Sequence, residues 1–171
     1  MGLDQALLAE FEHEMQTTRK CLANVPTAKM SWTPHEKSMS MGRLASHIAD
    51  MVGWASEIIA NDVLDIAPPD GEPRETKEAV STEELLEIFD KNLAAGVSAI
   101  AAASDETWFE DWTFKFGGKP LMTIPRIASI RGFVLSHIIH HRGQLSVYLR
   151  LNDIPVPSIY GPSADDAGPF A

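Results

Sequence analysis

The sequence is short of cysteine, of basic side chains and of unbroken apolar runs, and each shortage removes a class of function. One cysteine, Cys21, stands among 171 residues, so no internal disulfide can form and a reducing cytoplasm is the expected setting. Lys20 and Leu22 beside it belong to an expected helix, which makes Cys21 a buried, inert thiol rather than a nucleophile. Lys and Arg number 14 against 24 Asp and Glu, a net charge of −10. Phosphate binding needs a basic stripe; none is present, so nucleic acid is not an expected partner and the acidity is read as solubility. No window approaches the roughly 18–20 consecutive apolar residues of a membrane span. The opening stretch MGLDQALLAEFEHEM carries acids where a secretory signal would carry a basic region. No HExxH-like arrangement supplies a carboxylate beside paired histidines, which disfavours peptidase chemistry.

What remains is an ordinary globular composition, 44% hydrophobic and 22% charged, long enough for one domain over residues 1–171 with a sizeable core. The apolar residues recur mostly at helical spacing. A first helix is expected from Leu3 to about Leu22, with Leu7, Leu8, Phe11, Met15 and Leu22 on one stripe. A second, about Ser40 to Asn61, places Leu44, His47, Ile48, Met51, Trp54, Ala55 and Ile58 on one face. The Pro-, Gly- and charge-rich segment DIAPPDGEPRETKEA reads as a loop. It leads to Ser81 or Thr82, either of which can cap a third helix running to about Ala103, with Leu85, Leu86, Phe89, Leu93, Val97 and Ile100 inward. Trp112, Phe114 and Phe116 alternate with polar residues before Gly117-Gly118, a hairpin signal. The fourth helix is expected over about Ile124 to Asn152, with Pro125 in its first turn. The tail IPVPSIYGPSADDAGPF should lie extended over the rest. The fold class these elements indicate is all-α: a four-helix bundle with a short hairpin-like insertion before the last helix.

The fourth helix carries an unusual load, SHIIHHRGQL. Its inward stripe reads Ile127, Ile130, Val134, His137, His141, Leu145 and Tyr148, in steps of three or four. His137 and His141 thus share a core-facing strip one turn apart, with Cβ atoms about 6 Å apart. His47 sits between Leu44 and Met51 on the inward face of the second helix. A single inward histidine is ordinarily a core residue satisfied by a carbonyl or carboxylate. Three on two facing helices each bring nitrogens whose unmet desolvation costs on the order of 1–3 kcal/mol, and such a set can converge on one cation. His137 with His140 is also a workable i, i+3 pair, but His140 is rotated about 100° from His141 and aligns with Phe133 and Val147, so it is taken as a flanking residue. His13, among Glu10, Glu12 and Glu14, reads as solvated surface; His35 lies in a Pro-bearing loop without a nameable partner. Three neutral nitrogens leave a coordination shell open, as catalytic rather than structural sites do. Imidazole suits zinc, nickel, copper or iron; zinc comes first on availability and nickel second.

Around these ligands, Asp50, three residues after His47, is the candidate acceptor for an imidazole N–H. Trp54, Trp108, Trp112 and Phe114 are core aromatics that can also wall a pocket. Arg142 and Gln144 are either helix-surface polar groups or groups that orient a ligand, a carboxylate or a partner chain. Gly143 weakens its helix by about 1 kcal/mol relative to alanine, which suggests close packing against another backbone.

The run HIIHHRGQLSVYLRLNDIPVPSIYGPSAD resembles the C-terminal signature of the DinB-like (DinB/YfiT) superfamily of metal-binding four-helix bundles, and MGRLASHIADM resembles its second-helix histidine motif. The resemblance covers most of the chain and rests chiefly on HxxxHRGQ. It implies one divalent ion per chain on His47, His137 and His141, in a pocket at one end of the bundle, and a homodimer. The family includes transferases of low-molecular-weight thiols, so a metal-dependent S-transferase is the leading expectation. Metal-dependent hydrolysis is a second, and a stress-related metal- or ligand-binding bundle without turnover a third.

Overall fold

The computed structural model describes residues 2–166. Four helices form its frame: α1, Leu3–Ala23; α2, Met41–Ala60; α3, Thr82–Ala102; and α4, residues 126–151. Each of α1 and α2 packs on both α3 and α4, which places α1 and α2 on a diagonal of the bundle. Ser40 Oγ caps α2 by accepting from the Arg43 amide, and Ser81, rather than Thr82, caps α3 by accepting from that of Glu84. Thr82 instead ties the start of α3 back to the end of α1, donating to the Val25 carbonyl. Along the bundle the inward apolar stripes meet in one core that includes Phe11, Met15, Leu44, Ile48, Phe89, Val134 and Leu145. Gly96 is required where α3 crosses the core, because a Cβ there would come within 2.9 Å of the Phe11 ring. No helix among the described residues is long and apolar enough to cross a membrane.

The all-α reading needs correction, because a three-stranded sheet is built onto the bundle. The hairpin is β2 (Asp111–Phe116) and β3 (Lys119–Pro125), antiparallel, turning at Gly117 and Gly118 with φ of 62° and 76°. The third strand, β1 (Val63–Asp65), leaves the end of α2 and pairs in parallel with β2 through Val63 and Thr113. Only three residues long and half exposed, β1 has too short a pattern to be told from the loop that follows. The start of α4 also moves: Ile124 and Pro125 pair with Trp112 and Asp111, so Pro125 ends a strand and the helix begins at Arg126.

Arg126 explains how the sheet is fixed. Its guanidinium, 3% exposed, donates to the Ile58 carbonyl of α2, to Asp62 before β1, and to Glu110 and the Asp111 carbonyl of the hairpin. One buried cation thus joins the C-terminal end of α2, the sheet and the start of α4.

Within α4 the first turn, Arg126–Ser129, is α-helical; Ile130–Ser136 is π-helical; and His137–Leu151 returns to α. The i→i+5 spacing rotates each residue less about the axis than an α-turn does, so the buried face drifts around the helix. Ile138, Arg142 and Leu149 are buried beside the expected Ile130, Val134, His141 and Leu145, while Ile127 and Tyr148 are half-buried. The helix ends in a Schellman motif, with the Ile154 and Asp153 amides donating to the Leu149 and Arg150 carbonyls and Asp153 at φ 57°.

Arg142 is not a surface group. At 1% exposure it donates to the Glu14 carboxylate at 2.7 Å, to the Glu14 carbonyl and to Thr18 of α1. The tail closes over this pair: the Tyr160 hydroxyl accepts from Arg142 and donates to Glu14. Residues 167–170 of the expected extended tail lie outside the described residues. Because Glu14 would be left buried without its partner, Arg142→Met should lower stability by about 3–5 kcal/mol in urea unfolding. Adding Glu14→Leu should restore most of that loss.

Candidate metal centre

His47 on α2 and His137 and His141 on α4 meet in the seam between the two helices. The ring nitrogens available from the three lie within 4.8 Å of one another. His137 is central: its Nε2 is 3.3 Å from His47 Nε2 and 2.8 Å from His141 Nε2. Ligands about 2.0–2.1 Å from one ion would be separated by about 2.9 Å at right angles and about 3.3 Å at the tetrahedral angle. The two separations that involve His137 match these values, and the third nitrogen pair lies within 4.8 Å. His141 is buried and the other two are half-buried.

Burial is the largest influence on all three rings, and it holds each below its ordinary pKa. His137 falls from 6.5 to about 4, first through burial and then through His141, His47 and His140. His47 is lowered by burial, His141 and Arg43, with Asp50 opposing. His141 is lowered by burial and His140, while its bond to Gln144 opposes. All three are therefore neutral near pH 7, the form in which imidazole is a ligand. The tautomer of His141 is set as well: its Nδ1 lies 2.7 Å from Gln144 Oε1, which can only accept, so Nδ1 carries the proton and Nε2 presents its lone pair inward.

The flanking residues divide. Gln144 orients His141, and its amide Nε2 lies 3.1 Å from Nε2 of the exposed His140. Thus His140 stands outside the cluster, as its rotation on the helix suggested. His13 and His35 are exposed and not part of the cluster, His35 Nδ1 accepting from the Lys37 amide. Asp50 takes a different role from the one expected: no hydrogen bond joins it to an imidazole. It accepts instead from Arg74, Thr76 and the Trp54 indole. Arg142 directs its ion pair into α1. Trp108 and Trp112 are fully buried and do not line the hollow beside His47 and His137, whereas Trp54 and Phe114 do. Gly143 has open space where close packing was expected: a methyl group in place of its hydrogen would meet nothing within 4 Å. Cys21 is buried, its thiol pushed up to about 11 by burial, and stays protonated.

Arg74, Thr76 and Phe133 were the residues the sequence reading missed. Arg74, from the segment read as a plain loop, forms ion pairs with Glu57 and Asp50 of α2 and draws residues 66–76 alongside the histidines. The available signal was a lone arginine among acids, following a helix with two carboxylates, Asp50 and Glu57, about two turns apart on one face. Phe133, assigned to the strip of His140, instead packs with Trp54, Trp112 and Phe114, because the π-helical turn shifts its direction.

The neutral, buried imidazoles give the metal-free protein a pH dependence of defined sign. Below about pH 6.5 the unfolded chain binds protons that folded His137 refuses until about pH 4, so stability falls as pH drops through that window. Thermal melts of metal-free protein should show a falling Tm from pH 6.5 to 4.5, flattened in His137→Asn; identical slopes in both would count against it.

Comparison with known proteins agrees with this architecture. The DinB family model matches residues 1–168. The uncharacterized protein YrdA of Bacillus subtilis strain 168 is 26% identical over 164 residues, 95% of this chain and 91% of that protein. The crystal structure of a DinB-like protein from Bacillus cereus ATCC 10987 superposes with a TM-score of 0.69 at 21% identity, over 91% of this chain and 97% of that one. That of the DinB-like protein YjoA from Bacillus subtilis does so with 0.70 at 19%, over 92% and 99%. A histidine triad in the α2–α4 seam and a family match along almost the whole length lead to one statement of kinship: the chain belongs to the DinB family.

Proposed function

We propose that His47, His137 and His141 hold one divalent cation, zinc or nickel, and that the protein is a metal-dependent S-transferase of low-molecular-weight thiols. The observation that carries the first part is the convergence of three neutral Nε2 atoms at ligand spacing. A cation bound there lowers the pKa of a thiol or water that joins it, supplying a nucleophile near neutral pH. In the transfer itself, sulfur bonds to the acceptor carbon, the leaving group departs with its electron pair, and the sulfhydryl proton passes to solvent.

The chain's own groups support transfer over hydrolysis. Gln144 keeps His141 in the ligating tautomer. Asp50, the carboxylate nearest in sequence to His47, is engaged by Arg74, Thr76 and Trp54 and is not free to deprotonate water. The site also adjoins two hollows, which suits two substrates. One of about 370 Å3 is apolar; another of about 510 Å3 shares His47, Arg74 and Thr76 with it and adds Arg43.

The metal reading is tested by elemental analysis of the purified protein and of single variants, after zinc or nickel loading and dialysis. Wild type should carry about one ion per chain. His141→Ala should lose most of it, whereas His13→Ala and His140→Ala should keep it; loss at His140 with retention at His141 would overturn the ligand set. The transfer reading is tested by incubating loaded and metal-free protein with bacillithiol, mycothiol or glutathione and an electrophile. Thiol consumption should be faster with the metal; no acceleration with any thiol would leave a metal-binding bundle without turnover.

The homodimer is proposed on the exposed side of α4. Gly132 and Gly143 have open space around them, and Val147 and Leu151 are 55% and 60% exposed on the same helix. A glycine that weakens its helix without serving any contact inside the chain suits close approach by a second copy. Light scattering at micromolar concentration should give twice the chain mass.

A further inference from the structure

The 370 Å3 hollow beside His47 and His137 is built unlike the rest of the surface. Its wall is three aromatic rings from three elements: Trp54 of α2, Phe114 of β2 and Phe133 of the π-helical turn of α4. Phe114 and Phe133 have centroids 5.1 Å apart, and Trp54 lies 6.1 Å from the first and 6.3 Å from the second. These separations leave no slot for another ring between them, so a ligand lies against their exposed faces and edges. Both phenylalanines are only half-buried, although they sit over a fully buried Trp112. Arrangements of this kind favour another aromatic group, with about 0.5–1.5 kcal/mol per ring pair beyond the area buried. The size suits a ligand group of one or two rings, since it lies near the low end of the roughly 300–1,000 Å3 range of small-molecule sites.

The polar groups at the rim define its charge. Arg74 NH1 donates to both Glu57 oxygens at 2.9 and 2.7 Å, and NH2 reaches Asp50 at 3.3 Å. The guanidinium also stands 5.2 Å over the Trp54 ring. Two carboxylates thus outweigh one cation, so this wall carries no net positive charge to draw an anion, although the Arg74 Nε–H is unpartnered. A carboxylate- or phosphate-bearing group would meet the repulsion of Asp50 and Glu57 there; an uncharged ring would not.

We propose that this hollow is the acceptor subsite, and that it takes a planar, uncharged aromatic group of one or two rings. The assignment rests on the S-transferase reading for the chemical step, but not for binding itself. An aryl halide illustrates that step: the thiol sulfur bonds to the ring carbon, the carbon–halogen bond breaks, halide leaves with the electron pair, and the sulfhydryl proton goes to solvent. The ring lies on the Trp54, Phe114 and Phe133 wall, which ends at His47 and His137, so its substituted carbon is delivered to the metal-binding edge.

Isothermal titration calorimetry of the full chain, zinc-loaded and metal-free, with the unreactive probe 1,3-dinitrobenzene tests binding apart from turnover. One saturable site per chain is expected in both forms. Metal-free protein should bind 3-nitrobenzoate and the non-planar nitrocyclohexane at least about tenfold more weakly. Phe114→Leu keeps the apolar volume and removes one ring on the hairpin; with an unchanged melting temperature it should weaken 1,3-dinitrobenzene by about tenfold. If Phe114→Leu is unstable, Phe133→Leu serves the same comparison. Equal binding of 3-nitrobenzoate, equal binding by the leucine variants, or no binding of the neutral ring would overturn the assignment. Turnover of 1-chloro-2,4-dinitrobenzene with a thiol is then read separately: binding without turnover refutes the transferase reading and leaves the aromatic subsite standing, and turnover without ring binding does the reverse.

Discussion

A helix that must present histidines to one neighbour has to be kept from rotating, and the Arg142–Glu14 ion pair does this for α4. Residues 141 and 142 are adjacent, so about 100° of helix separates their side chains. Arg142 faces α1, where it bonds the Glu14 carboxylate and carbonyl and Thr18. That places His141 toward α2 and His47. The pair costs more to desolvate than an apolar contact of the same volume, but once buried it admits few rotations of the helix, because any other leaves a charge unpaired. The tail adds to the constraint through Tyr160, which bonds both partners at once. Arg126 sets the other end of α4 in the same manner, by bonds to α2, to the segment before β1 and to the hairpin. Two buried arginines on one helix therefore fix where His137 and His141 stand.

The loop between α2 and α3 shows how charge takes the place of apolar burial in forming a pocket. Residues 68–78 carry no apolar side chain able to enter a core beyond their prolines. Arg74 instead anchors to Glu57 and Asp50, and its cation lies over Trp54. Asp50 thereby becomes a hub that joins the loop, through Arg74 and Thr76, to the aromatic wall, through Trp54. An acid three residues from a ligand histidine need not serve that histidine; here it holds the rim.

The four helices were legible because each carries a stripe at the helical period, and the third has its cap at Ser81, one of the two residues offered for it. His47, His137 and His141 were legible for the same reason, since periodicity alone puts them on facing inward strips. The parallel strand β1 was not: three residues show no alternation, and its pairing depends on a hairpin some 50 residues away. The displaced start of α4 and the direction of Phe133 were hidden by two local effects. Strand pairing overrode the tolerance of a helix for proline in its first turn, and a π-helical turn broke the 3.6-residue period on which the stripe was drawn. Arg74 was hidden because its partners lie across a loop, where no period connects them.

The parallel pairing of β1 with β2 bears on the order in which the molecule is made. His47 and His137 are separated by 90 residues, and the segment between them includes α3 and the whole sheet. While the chain emerges from the ribosome, α1, α2 and α3 are complete before His137 or His141 has been synthesised. A cation held as proposed by His47, His137 and His141 would meet only His47 during that interval, and the growing chain would hold it no more strongly than an isolated imidazole does. The sheet then brings the start of α4 to the end of α2, and the site closes as the last helix docks. On the proposed reading, metal capture would be deferred to a nearly finished fold, and selection of the ion would fall to a preformed cavity rather than to a nascent chain.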